Sequence, residues 1–182
     1  MEILVGTYKE DEEKYRKTKI PAVRLSDDEY EKVLRCLVLA CTDIVIIDRD
    51  KQIFYLANRI SKPMTGWWWI GGRMGAGETK EEAAMRNFER ETGLNLSSDR
   101  LRLVAVFDYF WKDRQQVPQE VGCHMLAYTF VVELTAEELA AIGLEKSEYE
   151  ASAGLTAFNR EQLIKEKVFP AILDLYDLIF PS

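Results

Sequence analysis

The apolar and polar positions along this chain predict a succession of short strands and a few amphipathic helices. Apolar runs bounded by turn residues predict five strands: CLVLACTDIVIIDRD, IFYLANR, WWWI, LRLVAVFDYF and HMLAYTFVVEL. The segment Asp48–Lys51 predicts the turn between the first two strands, and Ser61–Gly66 predicts a loop. The stretch REQLIKEKVFPAILDLYDLIF predicts a closing helix that is interrupted or kinked near Pro170, because proline lacks the backbone donor that a helix interior needs.

Helix start and stop signals lie between these strands. The capping-box patterns SDDE and TKEE predict helices over Ser26–Leu34 and Thr79–Gly93, the second ending at a glycine suited to a left-handed cap. A short helix is predicted over Thr135–Ala141, and EKSEYEASAG is predicted to be a loop. Strands on both sides of one helix, with a terminal helix on the other face, predict an α/β fold: an α/β/α sandwich with a mixed β-sheet.

Length and composition narrow this picture. The chain has 182 residues, which suits one domain, and we assign residues 1–25 to an N-terminal arm and residues 26–182 to a single domain. The apolar runs are strand-sized, so no membrane association is expected, and the N-terminus does not resemble a secretory signal. Three cysteines without metal-ligand spacing suggest a reducing compartment. These features together predict a cytoplasmic protein.

Charge limits the classes of partner. The formal net charge of -7 argues against a protein that coats a nucleic-acid polymer. A nucleotide ligand remains compatible with that charge, because a few local arginines and a divalent cation can reverse the field inside one cleft.

The stretch GGRMGAGETKEEAAMRNFERETGL combines a glycine-rich turn with a helix, an arrangement that lets backbone N–H groups approach a phosphate. Residues 87, 90 and 91 share one helix edge, where carboxylates would bind Mg²⁺. Glu91 can ligate a cation, Asn87 offers only a weak carbonyl oxygen, and Arg90 offers none. A solvated charged helix face without any metal is the alternative interpretation.

The spacing of this stretch resembles the Nudix box: Gly, five residues, Glu, seven residues, then Arg-Glu-apolar-any-Glu-Glu-any-Gly-apolar. The matching positions are Gly72, Glu78, Arg86, Phe88, Glu91, Gly93 and Leu94. Asn87 and Arg90 replace two of the three clustered glutamates, and Ile70 stands where a proline often precedes the paired glycines. With the flanking strands and the closing helix, the resemblance extends over most of the chain after Ser26.

The departures resemble one branch of that family, the GDP-mannose mannosyl hydrolases, which lack the same two glutamates and hydrolyse the anomeric carbon–oxygen bond with one metal ion. The segment NRISKPMTGWWWIGGRMGAGE is similar to that branch as well. The resemblance implies one Mg²⁺, or Mn²⁺, held by Gly72, Glu91 and Glu78, and a nucleoside diphosphate sugar as substrate. The side chains at positions 87, 90 and 91 carry formal charges of 0, +1 and -1. Their sum is too small a negative charge to offset the repulsion between several Mg²⁺ ions.

The same resemblance implies roles for the basic side chains and an oligomeric state. Arg59 and Arg73 would bind the pyrophosphate, Arg73 with a catalytic share, since each offers a fork of donors. Arg86 either contacts substrate or, as the preferred alternative, orients Glu78 or Glu91. A homodimer is expected by resemblance alone.

The general base is the weakest part of the resemblance. That branch uses a late-loop histidine beside a glutamine, and the matching stretch EKSEYEASAGLTAF contains neither. Glu148 or Glu150 can replace it, and we select Glu150, although solvated loop charges would explain both residues. His124 is the only histidine, either a substrate contact or a hydrogen-bonded core or cleft residue.

Aromatic residues raise a further pair of alternatives. The groups Trp67–Trp69 and Tyr109–Trp111 either stack on a nucleobase or belong to the core, and alternation along a strand allows at most two of the three tryptophans on one side. Two other functions remain open: a Nudix pyrophosphatase that cleaves the diphosphate of an NDP-X compound, and a nucleotide-binding module with little catalysis.

Overall fold

A computed structural model describes residues 5–8, 25–150 and 152–181, so most of the predicted arm lies outside the described residues. The helices are α1 (Asp27–Cys36), α2 (Lys80–Thr92), α3 (Ala136–Ala141), α4 (Arg160–Lys165) and α5 (Pro170–Ile179). The strands are β1 (Leu39–Asp48), β2 (Ile53–Arg59), β3 (Gly66–Trp68), β4 (Ile70–Arg73), β5 (Arg102–Trp111), β6 (Cys123–Glu133) and β7 (Leu155–Phe158).

The strands form one seven-stranded sheet in the order β3-β2-β1-β6-β5, with β4 paired to β1 and β7 paired to β2. β1 and β6 are parallel, whereas the other pairs are antiparallel, which confirms the predicted mixed sheet. β1 lies at the centre and pairs with three neighbours, so seven of its ten residues are buried. The glycine-rich turn that follows β4 is therefore attached to a central, largely buried strand.

Helices cover both faces of the sheet, which confirms the α/β/α sandwich. On one face α2 packs Ala84 and Phe88 against Ile44 of β1. On the other face α5 packs Ile172 and Leu175 into a cluster that also contains the buried Trp69. The two cores lie on opposite sides of β1 because its side chains alternate between the two faces of the sheet.

The helix signals read from the sequence are confirmed. The side chains of Ser26 and Thr79 each accept a hydrogen bond from the backbone N–H three residues later. The carboxylates of Glu29 and Glu82 in turn accept from the backbone N–H groups of Ser26 and Thr79. Gly93 ends α2 with φ of 76°, a left-handed conformation that glycine adopts without strain.

The predicted interruption of the closing helix near Pro170 is confirmed. The segment forms two helices, α4 and α5, and Pro170 begins the second one, at a position where its missing N–H costs no hydrogen bond. The sequence missed β7, because LTAF is only four residues long and shows too little alternation to mark a strand. Of the described helices, none has the length and apolar character that crossing a membrane requires.

Candidate active site

The turn between β4 and α2 lies against β1, and this close approach explains its paired glycines. Gly71 pairs with Asp43 of β1, and a Cβ at Gly71 would collide with the carbonyl oxygen of Thr42. A Cβ at Gly72 would lie 2.9 Å from Arg90 Nη2 and 3.0 Å from Asn87 Oδ1. Side chains of α2 therefore converge on the backbone of Gly72, as the sequence predicts.

Glu91 is the carboxylate at the centre of this arrangement, and it is 1% exposed. Its Oε2 accepts hydrogen bonds from the Gly71 N–H at 3.2 Å and from the Tyr149 hydroxyl, while Arg90 Nη2 donates to Oε1. Burial raises the pKa of Glu91, and the Tyr149 hydroxyl and the Arg90 guanidinium oppose that rise. The carboxylate is thus held in one position by donors on three sides.

Glu78 and Arg86 form a second unit one turn earlier. Arg86 donates to both carboxylate oxygens of Glu78, at 2.5 and 2.7 Å, and Gly75 N–H donates at 2.6 Å. The Arg86 bond lowers the pKa of Glu78, so this side chain stays ionised. Arg86 also donates to the Arg73 carbonyl at 2.9 Å, which ties the turn to the helix. Arg86 therefore orients Glu78, which matches the preferred alternative.

Asn87 is buried, and every polar atom of its amide group has a partner. Its Nδ2 donates to Thr42 Oγ1 at 3.0 Å and to the Arg73 carbonyl at 3.3 Å, and its Oδ1 accepts from Arg86 Nη1 at 2.8 Å. A glutamate at this position could not donate to those acceptors. The replacement of the family's glutamate by Asn87 is therefore compensated within the helix–turn contact.

The oxygen atoms around Gly72 could serve a divalent cation, and the metal-binding roles of Gly72, Glu91 and Glu78 stay predictions. In the described part of the chain no group of three or more His, Cys, Asp and Glu side chains could hold a metal ion. Glu91 supplies one carboxylate, and Asn87 Oδ1 faces Gly72, whose carbonyl is a further oxygen donor. The Arg90 guanidinium rests on Glu91 in place of a cation, and its half-exposed side chain can withdraw into solvent. Glu78 as a third ligand stays a prediction.

A cleft of about 680 Å³, including the part open to solvent, adjoins this turn. Its lining includes Tyr30, Arg59, Gly71, Gly72, Arg73 and Arg114. Arg59 donates to Ser61 Oγ at 3.0 Å and pairs with Glu148 at 3.3 Å. Arg73 donates to the Tyr30 hydroxyl, with its guanidinium carbon 4.7 Å from that ring centroid. The structure thus brings both predicted pyrophosphate-binding arginines to one cleft beside Gly72.

The late loop presents its two carboxylates differently. Glu148 contacts Arg59 and the Ser61 hydroxyl, whereas Glu150 accepts from Asn58 Nδ2 at 2.6 Å. Between them, Tyr149 is buried and carries the hydroxyl that binds Glu91. The structure therefore places Glu148, rather than the selected Glu150, in contact with a residue that lines the cleft.

His124 does not reach the cleft. Its neighbours in β6, Cys123 and Met125, line the cleft, so alternation directs His124 to the opposite face of the sheet. There its ring stacks on Phe110 at 4.1 Å and its Nε2 lies 3.2 Å from Asp108 Oδ1. His124 is thus hydrogen-bonded, as one alternative expected, but it lies at a partly exposed position outside both the core and the cleft, and substrate contact by His124 gains no support.

The tryptophans belong mainly to the core. Trp68 and Trp69 are buried with ring centroids 4.5 Å apart, and Trp67 packs edge-on against Phe158. Trp69 separates β3 from β4, which breaks the single predicted strand WWWI in two. Trp68 and Trp111 nevertheless line the cleft, so each presents one ring to a ligand.

Two charged residues in the cleft were missed by the sequence interpretation. Asp43 is 6% exposed, and burial raises its pKa to about 7, against the lowering effects of the Trp69 indole and the Arg59 guanidinium. Its signal was available, because a carboxylate inside the apolar run CTDIVIID is unusual. Arg114 is 1% exposed, yet it belongs to a polar loop, where an arginine gives no such signal.

Most of the chain is similar in sequence to known proteins. The sequence model of the family described as "NUDIX domain" matches residues 39–176. The low-salt glycan biosynthesis protein Agl8 of Haloferax volcanii is 29% identical over 120 residues, 65% of this chain and 74% of that protein. An RNA pyrophosphohydrolase of Erythrobacter litoralis is 32% identical over 81 residues, 44% of this chain and 47% of that protein.

The fold also has solved counterparts. The crystal structure of the MutT protein from Methanosarcina mazei Go1 superposes with a TM-score of 0.58 at 16% sequence identity, covering 78% of this chain and 92% of that one. At such identity the likeness concerns the fold, which agrees with the α/β/α sandwich described above.

Proposed function

This chain belongs to the NUDIX family of hydrolases, and we propose that it hydrolyses a nucleoside diphosphate sugar with the help of one Mg²⁺ or Mn²⁺ ion, as the GDP-mannose mannosyl hydrolases do. Water attacks the anomeric carbon, and the products are a nucleoside diphosphate and the free sugar. The proposal rests on one observation: the buried carboxylate of Glu91 lies beside a cleft that contains Arg59 and Arg73, with Asp43 as a second buried carboxylate in its lining.

The charge at this site supports one metal ion. Two Mg²⁺ ions about 4 Å apart would repel each other by about 16 kcal/mol at an effective dielectric constant of about 20. Enzymes that hold several ions offset this repulsion with several carboxylates, whereas here Asn87 and Arg90 leave Glu91 as the one carboxylate on that helix edge, and burial raises the pKa of the nearby Asp43 to about 7. When bound, the ion would neutralise charge that develops on the departing diphosphate, which suits cleavage on the carbon side of the bridging oxygen.

The side chains of the cleft would divide the remaining work. Arg59 and Arg73 bind the diphosphate oxygens, and both carry forks of N–H donors that match such a group. As the C1–O bond breaks, its electron pair goes to the diphosphate oxygen, and the water oxygen bonds to C1. The water proton passes to a carboxylate of the late loop, for which Glu150 is the sequence prediction and Glu148 the residue in contact with Arg59.

Diphosphate cleavage is the rival reaction. It draws support from the relative named RNA pyrophosphohydrolase and from Glu78 and Arg86, which keep the geometry of the box. The Arg90–Glu91 contact favours the other rival, a binding module, because it occupies the carboxylate that a cation would need.

Hydrolysis in ¹⁸O-labelled water separates these functions. A panel of nucleoside diphosphate sugars is incubated with Mg²⁺ or Mn²⁺, and the products are analysed by mass spectrometry. Label in the sugar is the expected result, and label in a phosphate would replace the proposal with diphosphate cleavage. Binding in calorimetry without turnover of any compound would identify a nucleotide-binding module instead.

A further inference from the structure

We propose that the inner part of the cleft is a subsite for an acidic sugar, in which Arg114 binds the carboxylate of a uronic acid attached to the nucleoside diphosphate. The inference rests on the proposed function, because it names the class of sugar that the same site accepts. It adds a specificity-determining residue, Arg114, that the diphosphate site does not use.

Unpartnered polar atoms are concentrated in this part of the cleft. Among the described residues, six buried side-chain nitrogen or oxygen atoms lack a hydrogen-bond partner. Four of them belong to residues that line the cleft: Asp43 Oδ2, Tyr109 Oη, Trp111 Nε1 and Arg114 Nη2. Burial raises the pKa of Asp43, and the Tyr109 hydroxyl lies close enough to oppose that rise, so Trp111 Nε1 and Arg114 Nη2 are the two donors that most need a ligand. Buried polar atoms in folded proteins are nearly always paired, so their collection at one cavity indicates a ligand that pairs them.

The chemistry of these four atoms selects the ligand. Trp111 Nε1 and Arg114 Nη2 only donate, the Tyr109 hydroxyl donates or accepts, and Asp43 Oδ2 is the one carboxylate oxygen. A surplus of donors fits a ligand rich in oxygen acceptors, whose hydroxyl groups can also donate to Asp43. A guanine could accept from Arg114 through O6 and N7, but it carries no negative charge to offset the buried guanidinium.

Arg114 is positioned by its own loop. Its Nε donates to the Gln116 carbonyl at 3.3 Å, and its Nη1 donates to the Gly122 carbonyl at 3.4 Å. Its Nη2 lies 3.7 Å from Glu31 Oε1, too far for a hydrogen bond, and Glu31 also pairs with Arg35. One partly compensated guanidinium suits one negative charge, which favours a carboxylate over a dianionic phosphate.

The position of the pocket connects it to the reaction. Arg59, Gly72 and Arg73 line the same cavity as Arg114, so a group attached to the bound diphosphate enters it. Its aromatic walls, Trp68 and Tyr109, lie edge to face with ring centroids 5.7 Å apart. Aromatic walls with a few polar groups are typical of small-molecule sites.

The test compares matched sugars on the same nucleotide. Turnover is measured for UDP-glucuronate against UDP-glucose, and for GDP-mannuronate against GDP-mannose, with calorimetry of binding alongside. We expect kcat/KM to favour the acidic sugar by about 10- to 100-fold in at least one pair, the range of a buried charge-assisted hydrogen bond. In Arg114→Gln that ratio should fall to about one.

The controls separate this inference from the function on which it rests. Arg102→Gln removes an exposed arginine of β5 and should keep the wild-type ratio. Trp111→Phe removes the N–H donor together with part of the ring, and it should lower the ratio even if Arg114→Gln fails to fold. Equal turnover of neutral and acidic sugars by the wild type would overturn the inference alone. No binding or turnover of any sugar nucleotide would overturn the proposed function, and an Arg114-dependent preference for UTP over UDP would show a phosphate subsite instead of a carboxylate subsite.

Discussion

The polar groups on the two sides of β4 differ in their hydrogen bonding. Towards α2, the carboxylates of Glu78 and Glu91 and the amide of Asn87 all have partners within the protein. Towards the cleft, Asp43 and Arg114 are buried, yet each keeps an atom without a hydrogen bond of good geometry. The strand between them is only four residues long.

This contrast distinguishes a framework from a binding surface. Hydrogen bonds within the helix–turn contact fix Glu91 before any ligand arrives, which lowers the reorganisation that catalysis would otherwise require. An unpaired buried polar atom costs about 1–3 kcal/mol, and a ligand that pairs it recovers that free energy on binding. The helix side therefore positions catalytic groups, and the cleft side selects what binds.

The largest expected effect comes from breaking the framework at its centre. Glu91→Gln keeps the shape of the side chain but removes the charge that a divalent cation needs, so we expect kcat/KM to fall by about 1000-fold or more. Steady-state turnover of the preferred sugar nucleotide measures the loss. Glu89→Gln, on the exposed side of the same helix, is the matched control and should retain activity. Full activity in Glu91→Gln would remove the proposed metal site.

A smaller effect is expected at the border between the two regions. Arg59→Met removes a guanidinium that would bind the diphosphate in substrate and transition state alike, so KM should rise by about 10- to 100-fold with a lesser change in kcat. Arg49→Met removes an exposed arginine that pairs with Glu133 and serves as the control. An unchanged KM in Arg59→Met would place the diphosphate elsewhere.

The smallest effect concerns the pH dependence of stability, and it tests the buried Asp43 on the cleft side. Burial raises the pKa of Asp43 from 3.8 to about 7, so between these values the folded state binds more protons than the unfolded state. The free energy of unfolding contributed by this group therefore decreases as pH rises from about 4 to about 7. Urea denaturation should show a weaker decrease over that range in Asp43→Asn than in the wild type.

The raised pKa of Glu91 contributes a slope of the same sign. Because Asp43 and Glu91 repel each other, the difference between the two curves reports Asp43 together with its effect on Glu91. Parallel curves for the variant and the wild type would show that Asp43 stays ionised throughout.

The sequence predicted most of the residues on the helix side of β4 and fewer of those that line the cleft. The spacing from Gly72 to Gly93 located the turn, the helix and Glu91, and the structure brings Arg59 and Arg73 to the cleft beside them. The base was harder, because Glu148 and Glu150 lie in one loop and only the pairing of that loop with β2 separates their surroundings. The position of His124 was left open as well, since the sequence of a strand does not show which face of the sheet lines the cleft.

The sequence by itself determined the features that depend on near neighbours along the chain. Capping boxes, strand alternation and the offsets of the box act over a few residues, so the chain specifies them without knowledge of the fold. Only the tertiary structure decided which distant groups meet: Tyr149 reaches Glu91 across 58 residues, and Glu148 reaches Arg59 across 89. The tertiary structure also decided which polar atoms of Asp43 and Arg114 lack a hydrogen-bond partner, because this depends on the positions of all their neighbours.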